Sequence, residues 1–127
     1  MLRPSLLAWI LFAVPAGAAD WTVTDLGRLY KDHHCMKASE RTFRNLMGEA
    51  RIEYLYASDW VTYADGINGR HDALITCTFG DNRGTRATLV IHSDARGMDL
   101  LMLQRRILAL FERNANQITR AWKDSYN

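Results

Sequence analysis

The stretch Ala73 to His92, ALITCTFGDNRGTRATLVIH, contains two runs of alternating side chains separated by a turn-rich segment. A period of two is typical of strands with one buried face, and the glycines, Asp and Asn of residues 80–84 favour a turn between the two runs. The predicted core face consists of Ala73, Ile75, Cys77 and Phe79 in the first strand and Ala87, Leu89 and Ile91 in the second. The opposite face consists of Leu74, Thr76 and Thr78 in the first strand and Arg86, Thr88, Val90 and His92 in the second.

Further strands are predicted before this pair. Residues 60–64, WVTYA, are β-branched and aromatic and precede the turn formers of residues 65–69. Residues 52–56 alternate in the same way, although a helix that continues through to Tyr56 is an alternative within residues 49–57. Trp21 to Thr24 predicts a first strand, or else a short helix that begins at Thr24-Asp25.

Two helices complete the predicted domain. The first has Asp32 as its N-cap, runs to about Met47 and stops at Gly48. The second follows a Ser93-Asp94 cap. Apolar residues recur at helical spacing in both, namely Met36, Phe43, Leu46 and Met47 in the first and Leu100, Leu103, Ile107, Phe111, Ile118 and Trp122 in the second. This order predicts an α+β domain, an antiparallel sheet of three to four strands with two helices packed on one face.

The first 19 residues have the three parts of a secretory signal peptide. A basic start is followed by an apolar run that ends before Pro15, and small residues lead to a cleavage site after Ala18 or Ala19. The run is shorter than the roughly 20 residues that a membrane-spanning helix needs, so we expect no membrane span after cleavage. Residues 20–127 are then a single α+β domain in the periplasm or outside the cell.

The charge of the chain limits its partners. The formal net charge is +2, and cleavage of the signal removes Arg3, so acidic and basic residues nearly balance in the mature protein. Nucleic acids and anionic membranes select a concentrated basic surface. We therefore expect neither as the main partner.

The two cysteines are predicted to form an intramolecular disulfide. Exported domains of this size fold in an oxidising compartment and have small cores that a cross-link stabilises. Cys77 falls on the predicted core face of its strand, and Cys35 lies beside the apolar stripe of the first helix. A bond between Cys35 and Cys77 would join these two elements.

The chain also resembles small uncharacterised exported bacterial proteins, a domain of unknown function in which two cysteines tie a helix to a mid-sheet strand. The resemblance covers about half of the chain and is carried by Trp21 to Val23, by Cys35 with Ala38 and Thr42 on a helix, and by residues 73–77, ALITC. It implies a fold and a compartment, and it supplies no site residues.

Histidines suggest one chemical alternative, a periplasmic metal-binding protein that uses His33, His34 or His71. Imidazole and thiolate groups are ligands for zinc and copper. Adjacent histidines diverge on a helix, however, and no Cys-x-x-Cys pair is present. Solvated or capping histidines are the favoured interpretation, and no cofactor is predicted.

Aromatic residues suggest a binding surface. The candidate residues are Tyr54, Tyr56, Trp60 and Tyr63, together with Trp21 and Trp122. Such side chains bury a large area when they contact a sugar or a protein, although aromatics in alternating strands are more often core residues or cross-strand pairs. The wide apolar arc of the last helix, which includes Met98, Leu101, Met102 and Leu108, suggests a possible homodimer.

A catalytic site is the weakest of the three possibilities. Asp65, His71 and Asp72 flank one turn, but the sequence contains no Gly-x-Ser-x-Gly motif and no phosphate-binding glycine loop. A small hydrolase is therefore the third alternative. The sequence favours an exported, non-enzymatic binding or accessory module whose partner is a protein or glycan of the cell envelope.

Overall fold

A computed structural model of the protein describes residues 20–79, 84–94 and 98–126. The predicted signal peptide and most of the turn at residues 80–84 lie outside this range. The described chain contains, in order, β1 (Asp20–Leu29), α1 (Asp32–Met47), β2 (Tyr54–Ala57), β3 (Val61–Ile67), β4 (His71–Phe79), β5 (Thr85–Ser93) and α2 (Met98–Asp124).

The strands form one antiparallel sheet in the order β1-β5-β4-β3-β2. The central pair is the predicted hairpin, in which Ile75 faces Leu89 and Cys77 faces Ala87. The predicted α+β class is confirmed. The predicted count of three to four strands is wrong, because the sheet has five.

The first strand, β1, pairs with β5 along its length. The alternative of a helix beginning at Thr24-Asp25 is wrong, since Thr24 faces Leu89 in the ladder. A bulge between Asp25 and Gly27 shifts the register of this pairing by one residue. Gly27 has a φ of 93° there, and its amide donates to the Asp25 carboxylate at 2.9 Å.

At the other edge of the sheet, β2 pairs with β3. The helix alternative for this segment is wrong, because α1 ends at Met47. Strand β3 continues through the predicted turn as far as Ile67 by means of a second bulge. Gly66 sits in that bulge at a φ of 64°, and a Cβ there would lie 2.7 Å from Cγ of Glu53.

The first helix begins one residue earlier than predicted. Lys31 is the N-cap and Asp32 is the first helical residue, so the capping prediction for Asp32 is wrong. Its carboxylate accepts a hydrogen bond from the hydroxyl of Thr85 instead. The predicted stripe is also wrong at Met47, which is 50% exposed, whereas Cys35 lies at the centre of the buried face.

The core lies between one face of the sheet and both helices. Asn114 of α2 donates hydrogen bonds to Thr42 and Asn45 of α1. Gln104 of α2 donates to Thr24 of β1, so α2 is hydrogen-bonded both to α1 and to the sheet. The largest fully buried side chains include Phe43, Leu46, Ile67, Ile75, Leu89, Ile91, Ile107, Leu110 and Phe111.

The predicted disulfide is present. Cys35 and Cys77 are bonded, with their Cα atoms 6.0 Å apart, and the bond links α1 to β4 beneath the helix. Ser93 is the final residue of β5 and is fully buried, and residues 95–97, which lead into α2, lie outside the described range, so the predicted Ser93-Asp94 cap stays a prediction. Among the described helices, none is both long enough and apolar enough to cross a membrane.

Candidate functional site

Both helices cover the same face of the sheet, so the other face, which we call the open face, is the candidate site. Strand register aligns one residue from every strand in a single row across it. In spatial order this row is Val23, Val90, Leu74, Tyr63 and Tyr56. All five side chains are apolar or aromatic, where a solvated face would normally carry polar residues.

The row is exposed at both ends and half-buried at its three central positions. Val23 is 70% exposed and Tyr56 is 51% exposed, and both lie on the edge strands. Trp21 and Tyr54 extend the surface along those edges, with exposures of 67% and 57%. Strands are spaced by about 4.8 Å, so five strands give a row roughly 19 Å wide. A contiguous apolar surface of this kind typically marks an interaction site.

One corner of the open face carries a polar network. The ring of Trp21 lies 4.4 Å from the ring of His92, and Nδ1 of His92 lies 3.7 Å from a carboxylate oxygen of Asp72. The other oxygen of Asp72 accepts a hydrogen bond from the amide of Gly66 at 3.0 Å. The β3 bulge at Gly66 therefore positions Asp72 for this network.

Asp65 lies beside Asp72 on the open face. Interaction with the Asp72 carboxyl raises the pKa of Asp65, and burial and the charge of Asp72 act in the same direction. For Asp72, burial acts to raise the pKa, but the amide of Gly66 and the side chains of Asp65 and His92 outweigh it and lower the pKa. As the pH rises, Asp72 therefore ionises before Asp65.

Tyr63 lies beside this pair. Burial raises the pKa of its phenol, and the charges of Asp72 and Asp65 raise it further. The phenol therefore remains a hydrogen-bond donor at neutral pH.

A small cleft opens between the aromatic row and the polar network. Its volume is about 120 Å³, with Trp21 and Tyr63 among its lining residues. Leu74 and Val90 also line it, and Asp72 and His92 supply polar groups. This arrangement can stack against a flat ring and hydrogen-bond to its substituents.

The structure separates the residues of the catalytic hypothesis. Asp65 and Asp72 meet on the open face, but His71 lies on the helix-covered side, where its Nδ1 is 2.6 Å from the Ser93 hydroxyl. Ser93 is fully buried, so its hydroxyl cannot reach a substrate from solvent.

The rings of His33 and His34 lie 4.4 Å apart, so the expectation that these adjacent histidines diverge is wrong, but His71 does not join them. His33 is exposed, and His34 is buried with its ring 5.6 Å from that of Trp122. Burial lowers the pKa of His34, and nearby positive charges lower it further. His71 begins β4, whereas the disulfide holds the helix that carries His33 and His34 near the strand's other end. The described residues contain no group of three or more His, Cys, Asp or Glu side chains placed to hold a metal ion.

Of the predicted aromatic residues, the open face unites Trp21, Tyr54, Tyr56 and Tyr63. Trp60 precedes β3, is 54% exposed, and falls on the opposite side by strand alternation. Trp122 packs on α2 against Tyr30, with ring centroids 4.8 Å apart.

The sequence placed Leu74, Val90 and His92 on the face opposite the predicted core, but it did not identify them, or Asp72, as a binding surface. The available signal was the apolar character of Leu74 and Val90 at positions that alternate with the core. A strand that is apolar on both faces is typical of a sheet covered on both sides or used for binding.

The fold and the site define a small disulfide-linked α+β module with an apolar, aromatic open sheet face. Comparison with known proteins found no matching family model, no matching curated protein and no matching solved structure. The resemblance to exported proteins with a helix-to-strand cysteine pair therefore stays a prediction from the sequence.

Proposed function

We propose that this protein is an exported, non-enzymatic binding module that recognises a partner protein of the cell envelope through the open face of its sheet. The observation that carries the proposal is the row from Val23 to Tyr56, which places apolar or aromatic side chains on all five strands. Burial of such a row against a partner releases water from apolar surface, which drives association.

Export to the periplasm or the outside of the cell is part of the same proposal. The signal-like segment at residues 1–19 supports it. The disulfide between Cys35 and Cys77 supports it as well, because such bonds persist in oxidising compartments.

The shape of the row favours a protein over a small ligand. The row is broad and spans the sheet, whereas small-molecule sites are concave and enclose most of the ligand. Tyrosine and tryptophan dominate the binding energy of many protein interfaces, and Trp21, Tyr54 and Tyr56 are half to two-thirds exposed here.

A glycan is the second candidate, supported by the cleft that Trp21 and Tyr63 help to line. Sugar rings stack on aromatic faces, and their hydroxyls can bond to Asp72 and His92. Binding of a glycan would require Trp21 and Asp72, whereas binding of a protein partner would require the whole row.

The experiment is photo-crosslinking in the intact cell envelope. A photoreactive phenylalanine derivative replaces Val23 or Tyr56 on the open face, and Arg44 or Arg120 on the helices serves as the matched control. We expect a discrete protein adduct from the open-face positions alone. Adducts of equal yield from both sets of positions, or none from the open face, would contradict the proposal.

Substitutions then separate the two candidates. Tyr56→Asp should abolish the protein adduct formed from position 23, while Trp60→Ala should preserve it because Trp60 lies off the open face. On a glycan array, Trp21→Ala should abolish any signal if the partner is a sugar. Thermal melting of each variant confirms that the fold is retained.

A further inference from the structure

A second recessed surface lies on the helix side of the molecule, between the end of α1, the β3–β4 turn and the first half of α2. This groove has a volume of about 840 Å³. Its apolar lining includes Leu46, Ala50, Met102, Leu103 and Ala109. The volume falls within the range of roughly 300–1,000 Å³ that is typical of small-molecule sites.

His71 is a buried polar residue beside the apolar part of this lining. Its side chain is only 5% exposed, and its Nδ1 is engaged by the Ser93 hydroxyl. Its Nε2 has no hydrogen-bond partner among the residues that the structure describes. Burial lowers the pKa of His71, so the imidazole is neutral at pH 7. When Nδ1 accepts from Ser93, the ring proton is on Nε2 and can be donated to a ligand.

The rim of the groove carries one surplus positive charge. Arg70 lies 3.4 Å from Asp99, and Arg106 is bonded to Glu49 with an Nη2–Oε2 distance of 2.7 Å. Arg105 also lines the groove and forms no ion pair with any described residue. A ligand with a single negative charge would balance this rim.

We propose that the groove binds a small amphiphile that carries one carboxylate. The apolar body lies along Leu46, Leu103 and Met102, and the carboxylate accepts a hydrogen bond from Nε2–H of His71. The unpaired cation of Arg105 balances its charge. This site is independent of the proposed partner surface, because the groove and the open face lie on opposite sides of the sheet.

A second copy of the chain is the competing occupant. Leu101 and Met102 of α2 are 44% and 61% exposed, and they belong to the arc from which a homodimer is predicted. The buried imidazole and the single surplus charge favour the amphiphile, since a second copy would bring an equal surplus charge to the interface.

The test uses sodium decanoate below its micellar concentration, with 1-decanol as the uncharged control, in calorimetric titrations of the mature protein. We expect decanoate to bind and decanol to bind at least about tenfold more weakly, because a charge-assisted hydrogen bond is lost. Arg105→Glu should weaken decanoate binding by at least about tenfold, while Arg120→Glu on the same helix should leave it unchanged. Ala109→Trp, which fills the groove, should abolish it.

The ¹⁵N resonance of His71 Nε2 gives a direct readout, and it should shift on addition of decanoate in the wild-type protein and in Arg120→Glu. Equal affinity for decanoate and decanol, or binding that Ala109→Trp leaves intact, would overturn the proposal. A dimer by light scattering that Ala109→Trp dissociates would assign the groove to a second copy and also overturn it. Tyr56→Asp, on the open face, should not affect decanoate binding, so the outcome is separate from that of the crosslinking experiment.

Discussion

At the scale of single residues, the position of each histidine along its strand decides which face of the sheet its ring lies on and therefore which groups it contacts. His71 and His92 lie near the same end of the central strands, yet one ring is directed to the core and the other to the open face. His71 meets Ser93 and the apolar groove, whereas His92 meets Trp21 and Asp72. Two residues of the same type therefore have different partners because alternate side chains of a strand point to opposite faces.

The buried His71 makes the stability of the fold depend on pH. Burial lowers its pKa below the ordinary value of 6.5, and the charge of Arg70 adds to this effect while Asp99, Asp72 and Asp94 oppose it. The unfolded state then binds more protons as the pH falls below about 6.5, so the free energy of unfolding decreases with falling pH. We expect urea unfolding to show this loss between about pH 7.5 and pH 5.

His71→Gln should reduce that pH dependence, because glutamine does not titrate and can still bond to Ser93. Arg120→Gln, which removes an exposed group that does not titrate in this pH range, is the control and should retain the wild-type slope. The assignment fails if His71→Gln has the same slope as the wild-type protein.

At the scale of secondary-structure elements, a buried polar contact sets how the two helices meet. Asn114 of α2 is 3% exposed, and its amide donates to Asn45 at 2.9 Å and to Thr42 at 3.3 Å. Thr42 in turn donates to the backbone carbonyl of Ala38 at 2.7 Å. The amide thus fixes the position of α2 along α1, since a shift of either helix would leave buried polar groups without partners.

Asn114→Ala should lower the free energy of unfolding by about 1–3 kcal/mol, because it leaves acceptors on α1 unsatisfied. Chemical denaturation measures this value. Asn116→Ala, at an exposed position of the same helix, should change the stability by less than about 0.5 kcal/mol. Equal effects of the two substitutions would show that the contact contributes nothing specific.

At the scale of the whole molecule, the disulfide joins the two layers of the fold. Cys35 and Cys77 are 42 residues apart, and the bond ties α1 to β4 in the centre of the sheet. By the chain-entropy model, a loop of this length stabilises the folded state by about 4 kcal/mol. Domains of this size have a total stability of roughly 5–15 kcal/mol, so the bond contributes a large share.

The double substitution of Cys35 and Cys77 by Ala should therefore lower the melting temperature sharply and increase proteolysis of the domain. Urea unfolding of the variant gives the loss in free energy, and the wild-type protein treated with a reductant is the matched comparison. Alkylation of two thiols in the native protein, detected by mass spectrometry, would contradict the disulfide.

The sequence alone was sufficient for the α+β class, the central hairpin, the extents of both helices to within a few residues, and the cysteine pair. The class, the hairpin and the helices follow from the periodicity of neighbouring residues. The cysteine pair follows from the oxidising compartment that the sequence predicts. The alternation of Ala73, Ile75 and Cys77 identifies the core face of β4 without knowledge of its neighbours. The same alternation is wrong at Phe79, which is 60% exposed at the end of the strand.

The tertiary structure decided the strand count, the partners of each histidine and the composition of the open face. Val23, Leu74 and Tyr56 are far apart in the chain, and only the order β1-β5-β4-β3-β2 and its register bring them into one row. The β3 bulge likewise brings Asp65 to Asp72, where the sequence showed two carboxylates on either side of a turn. Register and bulges depend on pairing across the whole sheet, and for that reason periodicity within a single strand could not reveal the site.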